Sequence, residues 1–334
     1  MITQKEIAEK LGISRTTVAR AINGSSLIKE ETKKKILELV KEMNYEKNLI
    51  GSSLAIKKSK LIYGLVIESK NEFYTQEIIR GLENASKEYG AYNYKIKIQT
   101  TDINDPETQI EKLKELLKNE EIDGIIITPL NKEKIYDLLK PYLEKIKVIS
   151  VGIRLHEEIP HIGPDHKKQG KIAGAIISSL LRKNEKLLVL DNGDDRISSK
   201  MYLEGFVERV AETEIKLVGP FLGNGIDKSI ELINEICSKE EISGIYINRY
   251  AQEILERLTK KVLKDKKIVT NGISKNLKKL IKKRVVTATV MEEIVTEGYN
   301  AGKKMFDILY RDKEYDGNWE ISKSHILFLE NLEG

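Results

Sequence analysis

The chain has one cysteine, Cys237, in 334 residues, so no internal disulfide is open to it. A lone thiol fits a reducing compartment. No run approaches the roughly 18 apolar residues that a membrane span requires, so a membrane partner is not expected. The opening MITQKEIAEKLG places no apolar stretch behind a basic start. No secretory leader is therefore expected, and the cytoplasm is the expected compartment. Internal repeats and low-complexity tracts are also missing. What remains is a globular chain too long for one ordinary core and suited to two or three domains.

The net charge of +5 becomes informative once it is divided along the chain. Residues 1–60 hold 13 Lys+Arg against 7 Asp+Glu, while the other 274 hold 44 against 45. The positive excess therefore sits in the first sixth. Phosphate neutralisation dominates nucleic-acid affinity, so this concentration is either an electrostatic footprint for nucleic acid or a solvated basic face.

Residues 1–45 show helical periodicity alone. Thr3 and Glu6 form a T-x-x-E capping box ahead of a stripe of Ile7, Ala8 and Leu11, and Gly12 ends that helix. Ser14 can cap the next helix, which runs through Val18 and Ile22 to Asn23 and stops at Gly24. A third helix carries Ile36, Leu37, Val40 and Met43 at helical spacing. The short first helix and tight turn, with small Ala8 and Gly12 facing Val18, have the spacing of a helix-turn-helix. In such a unit the second helix lies in the major groove. Arg15, Thr16 and Arg20 fall on the face that Val18, Ala21 and Ile22 do not use for packing, and these residue types suit base edges. Ser14, Thr17 and Asn23 suit phosphates.

From residue 61 the rhythm changes to short apolar strands alternating with amphipathic helices. The strand candidates are 61–67, 94–98, 124–128, 148–153, 186–191, 215–219, 244–248, 267–271 and 285–290. Near-continuous apolar strands between helices indicate parallel sheets covered on both faces, here two doubly wound sheets. Residues 46–60, EKNLIGSSLAIKKSK, join the two parts and are too apolar for a passive tether. Little in that stretch would order it without a partner.

The stretches ITQKEIAEKLGISRTTVARAING, EETKKKILELVKEMNY and NLIGSSLA resemble the DNA-binding headpiece and hinge of the LacI/GalR family of transcriptional regulators. The resemblance continues through FYTQEIIRGLENASKEYG, GPDHKKQGKIAG, LEGF and VMEEIVTEGYNAGKKMFDILY, and so covers nearly the whole chain. It implies a type I periplasmic-binding-protein-like core of two lobes that clasp a small effector, and a homodimer on a pseudo-palindromic double-stranded DNA operator. A repressor, controlled by a sugar, polyol or sugar-derived metabolite, is the expected role. It also implies a hinge helix in which Leu54 wedges between base pairs in the minor groove, with Ser53 and Ala55 allowing close approach and Lys57 beside them. Gly51 stands where the family usually has alanine, and Lys47 replaces a common proline. Glycine destabilises a helix by about 1 kcal/mol relative to alanine, so this hinge should order less readily. The expected division is a headpiece at 1–45, a hinge at 46–60 and a core at 61–334. Within the core, one lobe spans about 61–162 with 292–319, and the other about 163–290 with 322–334.

Ligands of doubly wound sheets bind beyond the carboxyl ends of the strands. That rule selects Glu72, Phe73, Tyr74, Arg154, Asn192, Asn248, Arg249, Asn271 and Glu292, with Asp165 at the expected crossover between lobes. For any one of these, a capping or loop role is an equal alternative. Tyr202 stands where the family often has a sugar-clamping arginine, Asn248-Arg249 where it has Asn-Asp, and Asn271 where it has aspartate. These departures point to an effector more anionic than a plain sugar.

An enzyme is the main rival, but no nucleophile and base stand together. GPDHKKQGK has six residues between its glycines, where a phosphate loop needs four, and GNG at 223–225 lacks the third glycine of a dinucleotide fingerprint. His156, His161 and His166 with Asp165 match no standard metal spacing, and Cys237 falls on a core stripe. No cofactor, metal or catalytic residue is expected. An exported transport receptor is the second rival, and the basic N-terminal module argues against it.

Overall fold

A computed structural model describes residues 2–22, 28–43, 45, 60–69, 72–119, 121–193, 196–311 and 313–332. The chain divides into two compact units, residues 1–59 and 60–334.

In the first unit, α1 (Gln4–Leu11) opens on the Thr3–Glu6 box, with both reciprocal hydrogen bonds formed. Gly12 closes it at φ 64°, a left-handed conformation that glycine adopts without strain. α2 (Arg15–Ile22) is capped by Ser14, whose Oγ accepts from the Thr17 N–H at 3.1 Å. With α3 (Glu30–Glu42) these helices enclose a small core of Ile7, Ala8, Val18, Ala21 and Ile36. Leu37 is 41% exposed, contrary to its expected inward position. Ile36, Val40 and Met43 form one stripe at helical spacing, and Leu37 lies about 100° round from Ile36, beyond the narrow face that two short partner helices can cover.

The second unit contains two six-stranded sheets. The first takes β1 (Leu61–Glu68), β2 (Ile96–Asp102), β3 (Ile122–Ile127), β4 (Lys147–Val151), β5 (His161–Gly163) and β11 (Trp319–Ile321), in the order β11-β5-β4-β3-β1-β2. All of its pairs are parallel. The second takes β6 (Lys186–Asp191), β7 (Lys216–Leu222), β8 (Gly244–Ile247), β9 (Lys267–Asn271), β10 (Ala288–Glu292) and β12 (Ser324–Leu327), in the order β12-β10-β9-β8-β6-β7. Only β12 runs antiparallel to its neighbour. Three short strands, β5, β11 and β12, escape a periodicity search because each is defined by its pairing rather than by its own pattern. β2 begins two residues later than expected and continues into polar QTTD, because its ladder with β1 runs on to Asp102.

The chain passes between the sheets three times, after β5, after β10 and between β11 and β12. The first passage leads into α7 (His166–Leu180) and the second into α13 (Ile294–Arg311). The remaining helices, α4 (Glu72–Glu88), α5 (Pro106–Leu117), α6 (Lys132–Leu139), α8 (Ile197–Ala211), α9 (Ile226–Lys239), α10 (Ala251–Leu255), α11 (Lys260–Leu263) and α12 (Lys275–Lys282), cover the faces. α7 and α8 cross at backbone contact: a Cβ on Gly170 would lie 2.1 Å from the Tyr202 carbonyl, and one on Gly205 would lie 1.9 Å from that of Lys167. This crossing sets His166 of α7 against Tyr202 of α8, their rings 5.0 Å apart and edge to face.

Candidate functional site

In the first unit, Arg15, Thr16 and Arg20 are exposed on α2, while Val18 and Ala21 of the same helix are buried. One face is therefore spent on packing and the opposite face presents two guanidinium groups and a hydroxyl. Ser14 and Thr17 are partly committed to each other, with Oγ and Oγ1 2.8 Å apart, so the cap is built from the two hydroxyls expected at phosphates. Asn23 and the hinge residues Ser53, Leu54, Ala55 and Lys57 lie outside the described residues, as does the side chain of Glu72.

In the second unit, the carboxyl ends of both sheets converge on a cleft of about 780 Å³. Of the residues selected from the sequence, Tyr74, Asn192, Tyr202, Asn248, Arg249, Asn271 and Glu292 line it. Three others do not. The Arg154 guanidinium donates to the carbonyls of Glu157 and Gly317 and lies over the Trp319 ring, so it fastens the β4–β5 connection rather than facing a ligand. Asp165 caps α7 by accepting from the Lys168 N–H at 2.9 Å. Phe73 lies outside the lining, with the Lys278 ammonium 5.9 Å from its ring centroid. Arg154 and Phe73 follow strand ends as the rule requires and Asp165 stands at the lobe crossover, but the local backbone aims each at a carbonyl, a neighbouring surface or a helix terminus.

The lining residues fall into two groups. Asn248 is a fastener: its Nδ2 donates to Asp191 Oδ1 at 2.9 Å, and its Oδ1 accepts from the Asn192 N–H at 3.2 Å. It ties the end of β8 to the end of β6. Arg249 donates through Nε to Ser199 Oγ at 3.1 Å and through Nη2 to Ser198 Oγ at 2.6 Å, so the start of α8 aims it. The second group carries buried polar atoms with no protein partner: Asn271 Nδ2, His166 Nε2, Glu292 Oε2 and Glu297 Oε2. Such atoms are unfavourable by about 1–3 kcal/mol each unless a ligand or water meets them, so they mark where a ligand would be held.

His166 and Glu297 were not selected from the sequence. His166 follows a capping aspartate, and Glu297 stands in the first turn of α13 rather than at a strand end. The only sequence signal was the lobe crossover that both residues adjoin. Burial, with the nearby Arg249 charge, lowers the His166 pKa to about 4, so its ring is neutral near pH 7. Burial also raises the carboxyl of Glu292, against which the Arg249 guanidinium pulls downward. Glu297 is raised well above the usual carboxylate range by burial and then by the neighbouring Glu292. This second buried carboxyl changes the charge balance from which an anionic effector was expected. Among the described residues no group of histidine, cysteine and carboxylate side chains is arranged to hold a metal ion, and no helix is long and apolar enough to cross a membrane.

Residues 3–48 match the family described as bacterial regulatory proteins, lacI family, and residues 63–313 match a periplasmic binding protein domain. The HTH-type transcriptional regulator RegA of Clostridium saccharobutylicum is 37% identical over 125 residues, 36% of this chain and 35% of that protein. Catabolite control protein A of Staphylococcus aureus is 29% identical over 217 residues, 65% of this chain and 63% of that protein. The matches thus span less than two thirds of either relative. A LacI transcriptional regulator structure from Bacteroides fragilis superposes with a TM-score of 0.71 at 17% identity, over 82% of this chain and 99% of that one, and so shares the fold of the core. With a helix-turn-helix that matches this family and a two-lobed periplasmic binding protein domain behind it, the chain belongs to the LacI family of bacterial regulatory proteins.

Proposed function

We propose that this chain is a cytoplasmic, DNA-binding transcriptional regulator whose operator affinity is controlled by a small polar effector in the interlobe cleft. The observation that carries this reading is the pairing of two features in one chain. An exposed Arg15–Thr16–Arg20 face stands on the second helix of the headpiece, and a cleft with unpartnered buried polar atoms stands in the core. The first suits base edges and the second a small polyhydroxy compound. Two chains, related by a two-fold axis, would set two α2 helices against a pseudo-palindromic operator. The 46–60 segment would order between them on DNA, with Leu54 in the minor groove and Ser53, Ala55 and Lys57 beside it. Arg15, Thr16 and Arg20 would contact bases, and Ser14, Thr17 and Asn23 phosphates.

The expected sign is repression, with the effector biasing an equilibrium between two lobe arrangements that differ in operator affinity. Selection of bound duplexes from a random pool, with and without a panel of sugars, polyols and their derivatives, tests the reading. The expected result is a pseudo-palindromic consensus whose recovery one class of compound changes. Equal recovery of all duplexes at moderate ionic strength overturns it.

A further inference from the structure

The effector reading can be taken to a chemical class through the two carboxyls at the inner end of the cleft. We propose that the ligand is a polyhydroxylated compound carrying an ammonium group, of which an amino sugar is the simplest kind, and that the ammonium sits on Glu292 and Glu297. The inference rests on the cleft being an effector site, as proposed above.

Glu292 ends β10 and Glu297 lies in the first turn of α13, so the second lobe crossover brings them together. They are 8% and 1% exposed. Glu297 Oε1 accepts from the Ser322 hydroxyl, while Oε2 of each carboxyl is buried with no hydrogen bond formed; the buried Gln169 amide of α7 stands beside Glu292 and favours its charged form. One ammonium carries three N–H donors and can serve both orphaned oxygens, with a charge-assisted bond to each. A neutral hydroxyl brings one donor and no charge.

The charge count leads the same way. The groups facing the pair are Arg249 from the end of β8, His166 and the Gln169 amide from α7, Tyr202 from α8, Tyr74 from α4, the Ser322 hydroxyl after β11 and the carboxyl of Glu293 between them in the chain. Burial raises both tyrosines, so they stay protonated, and His166 is neutral. Arg249 therefore offsets one carboxylate of the pair and leaves the other in excess, and the neighbouring Glu293 adds to that excess. Burial raises both carboxyls, which favours a proton on the pair when no cation meets it. In the complex the ligand's cation takes its place. An anionic ligand would instead add a second unbalanced charge beside Glu297. The remaining orphans, Asn271 Nδ2 and His166 Nε2, call for hydroxyl partners, which separates the expected ligand from a simple amine.

The test is calorimetry on the full chain with 2-amino-2-deoxyhexoses of the gluco, manno and galacto configurations. Each is compared with its N-acetyl derivative, its parent hexose and the corresponding hexuronic acid. Two buffers of different ionisation enthalpy are used at one pH. The expected result is that one amino compound binds at least about tenfold more tightly than its three counterparts, since charge-assisted bonds are roughly twice as strong as neutral ones. Its binding should release protons into the buffer. Glu297→Gln should remove both the preference and the release, whereas Gly90→Ala, outside the cleft, should keep both. Tighter binding of a neutral or acidic member, a preference unchanged in Glu297→Gln, or no binding by any amino compound overturns the proposal. Because operator recognition is measured separately by duplex selection, any of these outcomes can occur with the regulatory reading still standing.

Discussion

Arg196 donates through Nη2 to Asn104 Oδ1 at 3.0 Å, and so joins the start of α8 in one lobe to the turn after β2 in the other. Both residues line the cleft, and the Arg196 guanidinium also lies over the Tyr250 ring at 5.8 Å. The bond spans the two bodies whose separation admits a ligand, which makes it a latch on the lobe arrangement described here.

Arg196→Ala should therefore favour the open arrangement. A partly exposed bond of this kind contributes about 1 kcal/mol, which corresponds to roughly fivefold in the closure equilibrium. The expected outcome is faster effector dissociation with little change in Tm, read by stopped-flow and thermal unfolding. An unchanged dissociation rate would show that the latch does not bear on closure.

Gly205 predicts a structural failure with a functional signature. A methyl group there would meet the Lys167 carbonyl at 1.9 Å, so Gly205→Ala must drive α8 from α7. Overpacking of this kind destabilises by about 1–3 kcal/mol. Effector binding should fall as well, because the crossing holds the 3.1 Å contact between His166 Nδ1 and the Tyr202 hydroxyl. Gly90→Ala, which meets nothing within 4 Å, serves as the control and should leave Tm unchanged.

Two buried histidines contribute to the acid behaviour. His161 is lowered to about 3 and His166 to about 4, in both cases chiefly by burial. Each folded-state value lies below the unfolded one of about 6.5, so the unfolded chain binds more protons and stability falls as pH drops below that value. The raised carboxyls of Glu292 and Glu297 act in the opposite sense and favour the folded state more as they protonate. His161→Asn, away from the cleft, should flatten the decline of Tm between about pH 6.5 and 4. A decline as steep as in the parent chain would contradict the assignment.

Arg20→Ala in the headpiece and Lys57→Ala in the hinge should separate two roles. The first should relax base preference at one operator position by about 1–3 kcal/mol, and the second should weaken all sequences alike and lower the salt slope by about one. Binding titrations against single-base operator variants at several salt concentrations distinguish them. Uniform loss in both would mean that Arg20 contacts phosphate.

The headpiece was legible because its determinants are local. The Thr3–Glu6 box, Gly12 at φ 64° and the Ser14 cap each act within three residues, and a short helix carries its packing stripe in its own spacing. The parallel sheets were legible from continuous apolar runs such as LIYGLVI and KLLVLD, but their edges were not. β11 is a strand because Trp319 pairs with His161, a partner 158 residues away.

The strand-end rule selected Asn192, Asn248, Asn271 and Glu292, which line the cleft, and also Arg154 and Phe73, which do not; Asp165, selected at the lobe crossover, does not line it either. A strand end fixes where a backbone stops and leaves open where the side chain turns. By itself, then, the amino-acid order determined the helix-turn-helix, its exposed Arg15–Thr16–Arg20 face and the doubly wound class of the core, since these follow from short-range periodicity and capping. Only the tertiary structure decided the character of the cleft. His166, Asn271 and the Glu292–Glu297 pair come from three separate segments, and whether a polar atom is left unpartnered depends on the burial that their convergence creates.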